Sequence, residues 1–417
     1  MTPPNTAIAE TLRPQAPAGT FRLFAAGAHA GLQAHLGAFG PLDTGSIGPD
    51  FIRELEASGL TGRGGAAFAS WRKLAATAES RASGLLPVRP VVIANGAEGE
   101  PLSFKDRTLL ANAPHLVIDG LLAATRAVAG SQLYLYAAAA SLAGVAAAIA
   151  ERPEARRIRL VPAPEAFIAG ESSAAVNAIA TGTALPLDKR RRLGESGLKG
   201  RPTLVLNVET LAHIGLIARY GAAWFRSTGS PADPGTRLVT VSGAGPAQVQ
   251  EVAGNAALGT ILHDAGIEVR SLAAVLVGGY HGRWVRPLDY RISPAGPEGQ
   301  SVRPGAGVIH ALPADQCGLA VTAQILSYLA GESAKQCGPC MFGLPAMAGV
   351  LNRIASGEPN LRLPAELERL GKLVSGRGAC HHPDGTVQLV SSALAVFAED
   401  VKAHLAGQCT RQDRDAT

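Results

Sequence analysis

The apolar positions of this chain change character twice, and the changes divide it into three parts. In the first half, short apolar and β-branched runs alternate with longer segments of helical character. Four runs read as strands: Val88 to Ala94 (VRPVVIA), Gln132 to Tyr136, Arg157 to Val161 and Thr203 to Asn207. Runs of this kind suit strands buried on both faces of a parallel sheet. Helices are predicted over Phe51 to Leu60, Trp71 to Ser80, Thr108 to Ala129, an alanine-rich stretch ending near Glu151, a segment capped by Ser172 or Ser173, and a segment from Val208 to Arg219. Strands alternating with helices imply a doubly wound, parallel α/β sheet. From Arg237 the pattern turns β-rich, with LVTVSG, a helix at Leu258 to Ala265 and AAVLVGG. That reads as a separate α+β domain of about 80 residues. Beyond Leu319 it becomes helical. The proline-, threonine- and alanine-rich start reads as a flexible arm, and Phe21 to Gly40 shows no clear period. The expected units are residues 1–20, 21–236, 237–318 and 319–417.

Composition supports several units. At 417 residues the chain exceeds one core, and 47% apolar content is ample for packed domains. The net charge of +5 is modest and its basic residues are scattered, apart from the run Lys189 to Arg192. Aromatic residues are few and are not interleaved with basic ones, which argues against a nucleic-acid platform. No uncharged apolar stretch of about 18 residues and no cleavable leader is present, so a cytoplasmic location without a transmembrane segment is expected. All five cysteines (Cys317, Cys337, Cys340, Cys380 and Cys409) lie in the last quarter of the chain. In a reducing compartment such clustering points to metal rather than disulfides.

The chemistry concentrates at a few places. Gly59 to Lys73 reads GLTGRGGAAFASWRK, with four glycines and two alanines in the ten residues ending at Phe68. Such a run holds neither helix nor strand well, but it lets backbone N–H groups approach a ligand closely. Gly62, Gly64 and Gly65, with Arg63 and Lys73, suit a phosphate or pyrophosphate, and Phe68 offers a face for a planar ring. The run is neither a G-x-G-x-x-G fingerprint nor a P-loop, so its nucleotide stays unnamed on this ground. The first strand leads into Asn95-Gly96-Ala97-Glu98-Gly99-Glu100-Pro101, which places an amide and two carboxylates where open α/β sheets bind ligands. The third strand leads into Phe167, Gly170 and Glu171, and the fourth into Asn207 and Thr210. Cys337-Gly338-Pro339-Cys340 with Cys380 offers three thiolates for iron–sulfur or zinc; a redox C-x-x-C is the rival, but its usual βαβ setting is absent.

Together these stretches resemble one family, the flavin-bearing, NADH-oxidising (51-kilodalton) subunit of respiratory complex I and its relatives in soluble hydrogenases and formate dehydrogenases. The resemblance rests on GLTGRGGAAF (Gly59 to Phe68), NGAEGEP with FKDR (Asn95 to Arg107), FIAGESSAAVNAI (Phe167 to Ile179), ESGLKGRPTLVLNVETLAHI (Glu195 to Ile214) and GESAKQCGPC (Gly331 to Cys340), and spans residues 50 to 405. It implies a Rossmann-like FMN domain, a ubiquitin-like domain of the SLBB type and a C-terminal four-helix bundle with one [4Fe–4S] cluster. It also implies NADH or NADPH as substrate and a ferredoxin-like or other iron–sulfur subunit as partner. Glu98 is the expected catalytic residue. Gly62, Arg63, Gly64, Gly65, Phe68, Lys73, Asn95, Glu98, Glu100, Phe167, Gly170, Glu171, Asn207 and Thr210 are the expected flavin or dinucleotide contacts, and Cys337, Cys340 and Cys380 the cluster ligands. The chain departs from the family pattern at Ala67, Ala76, Ala97, Ser172, Arg192 and Ala334, the last standing where the first cluster cysteine would be. Cys317, His381 and His382 are candidates for that corner by sequence proximity. A flavin and iron–sulfur module without nicotinamide binding, and a structural subunit, are the alternative readings.

Overall fold

A computed structural model describes residues 21–82, 88–187, 191–286, 290–297 and 299–409. The expected arm at residues 1–20, together with Lys189 and Arg190, lies outside them. The first helices, α1 (Leu32–Phe39), α2 (Phe51–Ser58) and α3 (Ser70–Ala82), precede the sheet. Strand β1 (Val91–Gly96) is followed by α4 (Lys105–Asn112) and α5 (Pro114–Ala127), and β2 (Gln132–Ala138) by α6 (Ala139–Ala150). Then come β3 (Ile158–Ala163), α7 (Ser172–Thr181), β4 (Thr203–Asn207) and α8 (Val208–Arg226). The strands run parallel in the order β3-β2-β1-β4. Every residue of β1 is buried, as its apolar run requires of a strand covered on both faces.

Three local expectations change. The single helix expected over Thr108 to Ala129 is two, because Pro114 has no N–H to give and opens α5 as its first residue. Neither Ser172 nor Ser173 caps α7. The Glu171 carboxylate does, accepting the N–H groups of Ser173 and Ala174 at 2.8 and 3.0 Å. The unassigned stretch Phe21 to Gly40 contains α1 and buries Leu23, Phe24 and Phe39 in the first core. Helices α5 and α8 cross so closely that a Cβ on Gly120 would stand 1.7 Å from the Leu211 carbonyl oxygen. Only glycine fits that crossing.

A second, mixed sheet has the order Arg283–Val285, Leu272–Val277, Val308–Pro313, Thr236–Gly243, Gln248–Ala253. Helix α9 (Leu258–Asp264) covers one side, packing Leu258, Ile261 and Leu262 on Val239, Val241, Val275 and Val277. The chain then becomes helical: α10 (Gly318–Gly331), α11 (Leu344–Ala355), α12 (Leu363–Val374), α13 (His382–Val396) and α14 (Ala398–Leu405). Their core continues into the second sheet through Leu276, Trp284 and Leu312. The Trp284 backbone N–H donates to Ser392 Oγ at 3.0 Å, and its ring meets Phe397 edge-on. Among the described residues no helix is long and apolar enough to cross a membrane.

Candidate functional site

The glycine-rich loop begins where α2 stops at Gly59, in left-handed backbone (φ 70°). It is closed on itself by the N–H of Gly62 donating to the Phe68 carbonyl at 2.8 Å and by a bridge between Thr61 and Ala69. Its middle is tied to β4 and α8: the Arg63 N–H donates to Thr210 Oγ1 at 2.8 Å, and a Cβ on Gly64 would stand 3.2 Å from the Asn207 Cβ. Gly65, at φ 109°, faces the backbone of Gly305 in the second sheet's domain. The guanidinium of Arg63, expected to face a phosphate, does not. It turns inward, buried, donating to Thr61 Oγ1, Pro234 O and Thr236 O with Asp233 at 3.7 Å. A guanidinium has five donors and fits a polar anchor of this kind better than an apolar interior. Phe68 remains 47% exposed, available as a ring platform. Lys73 is part-buried on α3; burial lowers its pKa against the raising influence of Glu171. No carboxylate among the described residues lies within ion-pair distance of it.

Beside this loop the carboxyl ends of β1 and β4 meet in register, Asn95 opposite Asn207. Asn95 Nδ2 donates to the Gly170 carbonyl at 2.9 Å, which draws in the turn after β3. A Cβ on Gly99 would stand 2.3 Å from the Phe167 carbonyl oxygen, so the two turns share backbone contact. Asn207 Nδ2 donates to Asp106 Oδ2 at 2.6 Å, and Asn207 Oδ1 accepts the Glu209 N–H at 3.0 Å. Glu98 faces inward. Its oxygens accept from Ser103 Oγ, from the N–H groups of Asp106 and Arg107, and from Arg107 Nε, so it caps α4. Glu100 accepts the Tyr280 N–H at 2.8 Å, and burial, the largest influence, pushes its carboxyl up to about 7.

Sequence reasoning missed a buried charge cluster beneath this floor. Lys105 Nζ lies 2.7 Å from Asp106 Oδ1 and 2.9 Å from Glu209 Oε2. Burial opposes the lysine's charge, but the two carboxylates outweigh it and raise its pKa. Lys105 and Asp106 lie within the FKDR stretch and Glu209 follows the TLVLN strand, but nothing in their spacing said that they meet.

The three expected cluster thiols come together. Cys337 Sγ accepts the backbone N–H groups of Ala379 and Cys340, which brings Arg377 to Cys380 onto the C-x-x-C turn. Burial raises the Cys337 thiol, but these donors and the Cys340 thiol prevail and lower it. Burial, followed by the neighbouring Cys337, pushes Cys340 up to about 12, and Cys380 adds in the same direction. Lys335 holds left-handed backbone (φ 52°) on the approach. Of the candidates for the fourth corner, Cys317 is engaged elsewhere, at 3.5 Å from His404 Nε2. His382 is committed on both ring nitrogens, to Leu329 O at 2.8 Å and to His281 Nε2 at 3.1 Å. His381 is exposed. The His281 and His382 rings also enclose Phe167, together with Tyr280 and Tyr328, so that aromatic groups from all three parts of the chain meet there.

Comparison with known proteins agrees with this arrangement. Residues 55–216 match the family described as Nuo51 FMN-binding domain, and residues 320–404 match the NADH-ubiquinone oxidoreductase-F iron-sulfur binding region. The chain is 30% identical over 396 residues to NADH-quinone oxidoreductase-F 2 of Rhizobium meliloti, covering 87% of this chain and 90% of that one. It is 26% identical over 392 residues to the F-type subunit of NADH-quinone oxidoreductase of Escherichia coli, covering 86% and 85%. In three dimensions it resembles an NAD+-reducing [NiFe]-hydrogenase in the air-oxidised state, with a TM-score of 0.78 and 27% identity over 86% of this chain, but it spans only 63% of that hydrogenase chain.

Proposed function

Because the chain belongs to the family of F-type subunits of NADH-quinone oxidoreductase, we propose that it carries electrons from a nicotinamide nucleotide through FMN to an iron–sulfur cluster and on to a partner protein. The observation that carries this reading is the meeting of a donor-rich glycine loop with Asn95 and Asn207 at the carboxyl ends of two adjacent parallel strands. FMN, when bound, accepts hydride from the nicotinamide and passes electrons on singly.

The residues present fit these groups. Gly62, Gly64 and Gly65 leave backbone room that a side chain would fill, and part-buried Lys73 supplies a positive charge with no ion-pair partner among the described residues. In this reading the loop backbone, Lys73, Asn95, Asn207 and Thr210 hold the flavin. Phe68, Glu100, Phe167, Gly170 and Glu171 line the approach of the nicotinamide nucleotide, NADH or NADPH. Arg63 acts from behind the loop by pinning it to Asp233, Pro234 and Thr236. Glu98, expected as the catalytic carboxylate, is a positioning residue, since its oxygens are occupied by donors of α4 and of Ser103. Cys337, Cys340 and Cys380 hold a [4Fe–4S]-type cluster with an open corner at Ala334.

We read the units as an FMN-binding α/β domain (21–236), an SLBB-type β-grasp domain (237–318) and a four-helix iron–sulfur bundle (319–417). The protein works in the cytoplasm, peripheral to the membrane where its complex is membrane-bound, against an iron–sulfur electron-transfer subunit. Anaerobic titration with NADH and NADPH tests the reading. Bleaching of the flavin bands by either nucleotide is expected. Flavin that neither reduces would leave an electron-transfer module without nicotinamide binding, and a colourless protein would leave a structural subunit.

A further inference from the structure

Outside the thiols assigned to the cluster, a second group of soft ligands comes together at the far end of the helical region. Cys317 stands immediately before α10, His404 on the last turn of α14, and Cys409 shortly beyond it. Their ligand atoms all lie within 4.8 Å of one another. His404 is buried, whereas Cys317 and Cys409 are half-buried, which leaves a path from solvent.

The histidine is set for coordination. Its Nδ1 lies 3.2 Å from the Ile354 carbonyl and 3.0 Å from the Ala355 carbonyl. A carbonyl only accepts, so the ring proton belongs on Nδ1, and Nε2 turns a bare lone pair towards the thiols. Nε2 stands 3.5 Å from Cys317 Sγ. A tetrahedral zinc with Zn–S about 2.3 Å and Zn–N about 2.0 to 2.1 Å would hold such atoms roughly 3.5 to 3.8 Å apart. The donors thus already stand close to the separations that an ion would impose.

We propose that Cys317, His404 and Cys409 bind a zinc ion with solvent in the fourth position, stapling the end of α14 to the start of α10. Binding releases the two thiol protons and leaves the ion's charge balanced by two thiolates. The metal is chosen by the donors, two thiolates and an imidazole, which favour zinc over the oxygen-seeking divalent ions.

The test uses the full chain, isolated anaerobically, with zinc, iron and flavin measured together. One zinc per chain is expected, retained in Cys337→Ser and lost in Cys317→Ser and in Cys409→Ser, with iron and flavin unchanged in the last two. Cys409 lies beyond the last helix, so its substitution spares the core. X-ray absorption at the zinc edge of the unmutated protein should give two sulfur neighbours at about 2.3 Å and one imidazole. Any of three results overturns the proposal: no zinc after incubation with Zn²⁺, zinc unaffected by Cys409→Ser, or a mass deficit of two hydrogens from a Cys317–Cys409 disulfide.

Discussion

The backbone N–H of Phe167 donates to Glu332 Oε2 at 3.1 Å, joining the turn after β3 to the residue that ends α10. Through this bond the proposed flavin cleft and the helices that carry the cluster thiols hold one geometry. A buried or part-buried donor that loses its acceptor costs about 1–3 kcal/mol. Glu332→Ala should therefore lower the melting temperature while leaving flavin and iron content as they are. An unchanged melting temperature would show that the bond contributes nothing to stability.

Gly64→Val should give a folded protein with little flavin. Its Cβ alone would press to 3.2 Å from the Asn207 Cβ, and two further methyls have to displace either Asn207 or the loop. Overpacking of about 1–3 kcal/mol corresponds to roughly tenfold to hundredfold weaker FMN binding. Circular dichroism checks the fold and released flavin fluorescence checks the content; wild-type content would remove the loop from the flavin site.

At the cluster, Ala334→Cys should restore a fourth thiolate. The oxidised wild-type protein is expected to show a three-iron signal in low-temperature EPR, and the variant to lose it in favour of a four-iron signal on reduction. A wild type without the three-iron signal but with a reducible four-iron signal has a substitute ligand.

The stability of the protein should fall as pH rises from about 4.5 towards 7, in part through Glu251. This carboxyl is buried and accepts from Thr236 Oγ1 and from the N–H groups of Arg22 and Leu23. Burial, the largest influence, raises it from 4.5 to about 7. Its folded-state pKa lies above the unfolded one, so its contribution is complete below the unfolded value and is lost as pH passes the folded value. The effect is bounded at about 3 kcal/mol. Denaturant midpoints measured across this range on Glu251→Gln should show a shallower decline; curves parallel to wild type would refute the assignment.

The nucleotide preference turns on Ser172 and Arg192. A carboxylate against the adenosine ribose repels a 2′-phosphate, and arginine is well shaped to receive one. With serine at position 172 and exposed arginines at 191 and 192, NADPH should be oxidised as well as NADH. Steady-state diaphorase assays on Ser172→Glu and Arg192→Ala should shift the preference towards NADH. If neither does, the arginines serve a docking surface for an acidic partner.

Much of this protein was legible in its sequence because the signals are local. The runs VVIA, QLYLY and TLVLN are β-branched or aromatic over a strand's length, and glycines crowd where backbone must approach a ligand. The pair Cys337 and Cys340 meets on one turn because two residues separate them. The break at Pro114 is equally local, since a proline without an N–H divides a helix wherever it stands. Other features depend on the fold. Arg63 has the chemistry of a phosphate ligand, but Asp233, Pro234 and Thr236 stand behind it and take its donors. Glu98 has the chemistry of an exposed acid, but α4 offers it buried donors. Cys317 and His404 lie 87 positions apart, and no local pattern links them. Periodicity reports which face of an element is covered. Which residue covers it is decided when elements far apart in the chain pack together, and the burial of Arg63, the occupation of Glu98 and the meeting of Cys317 with His404 follow from that packing alone.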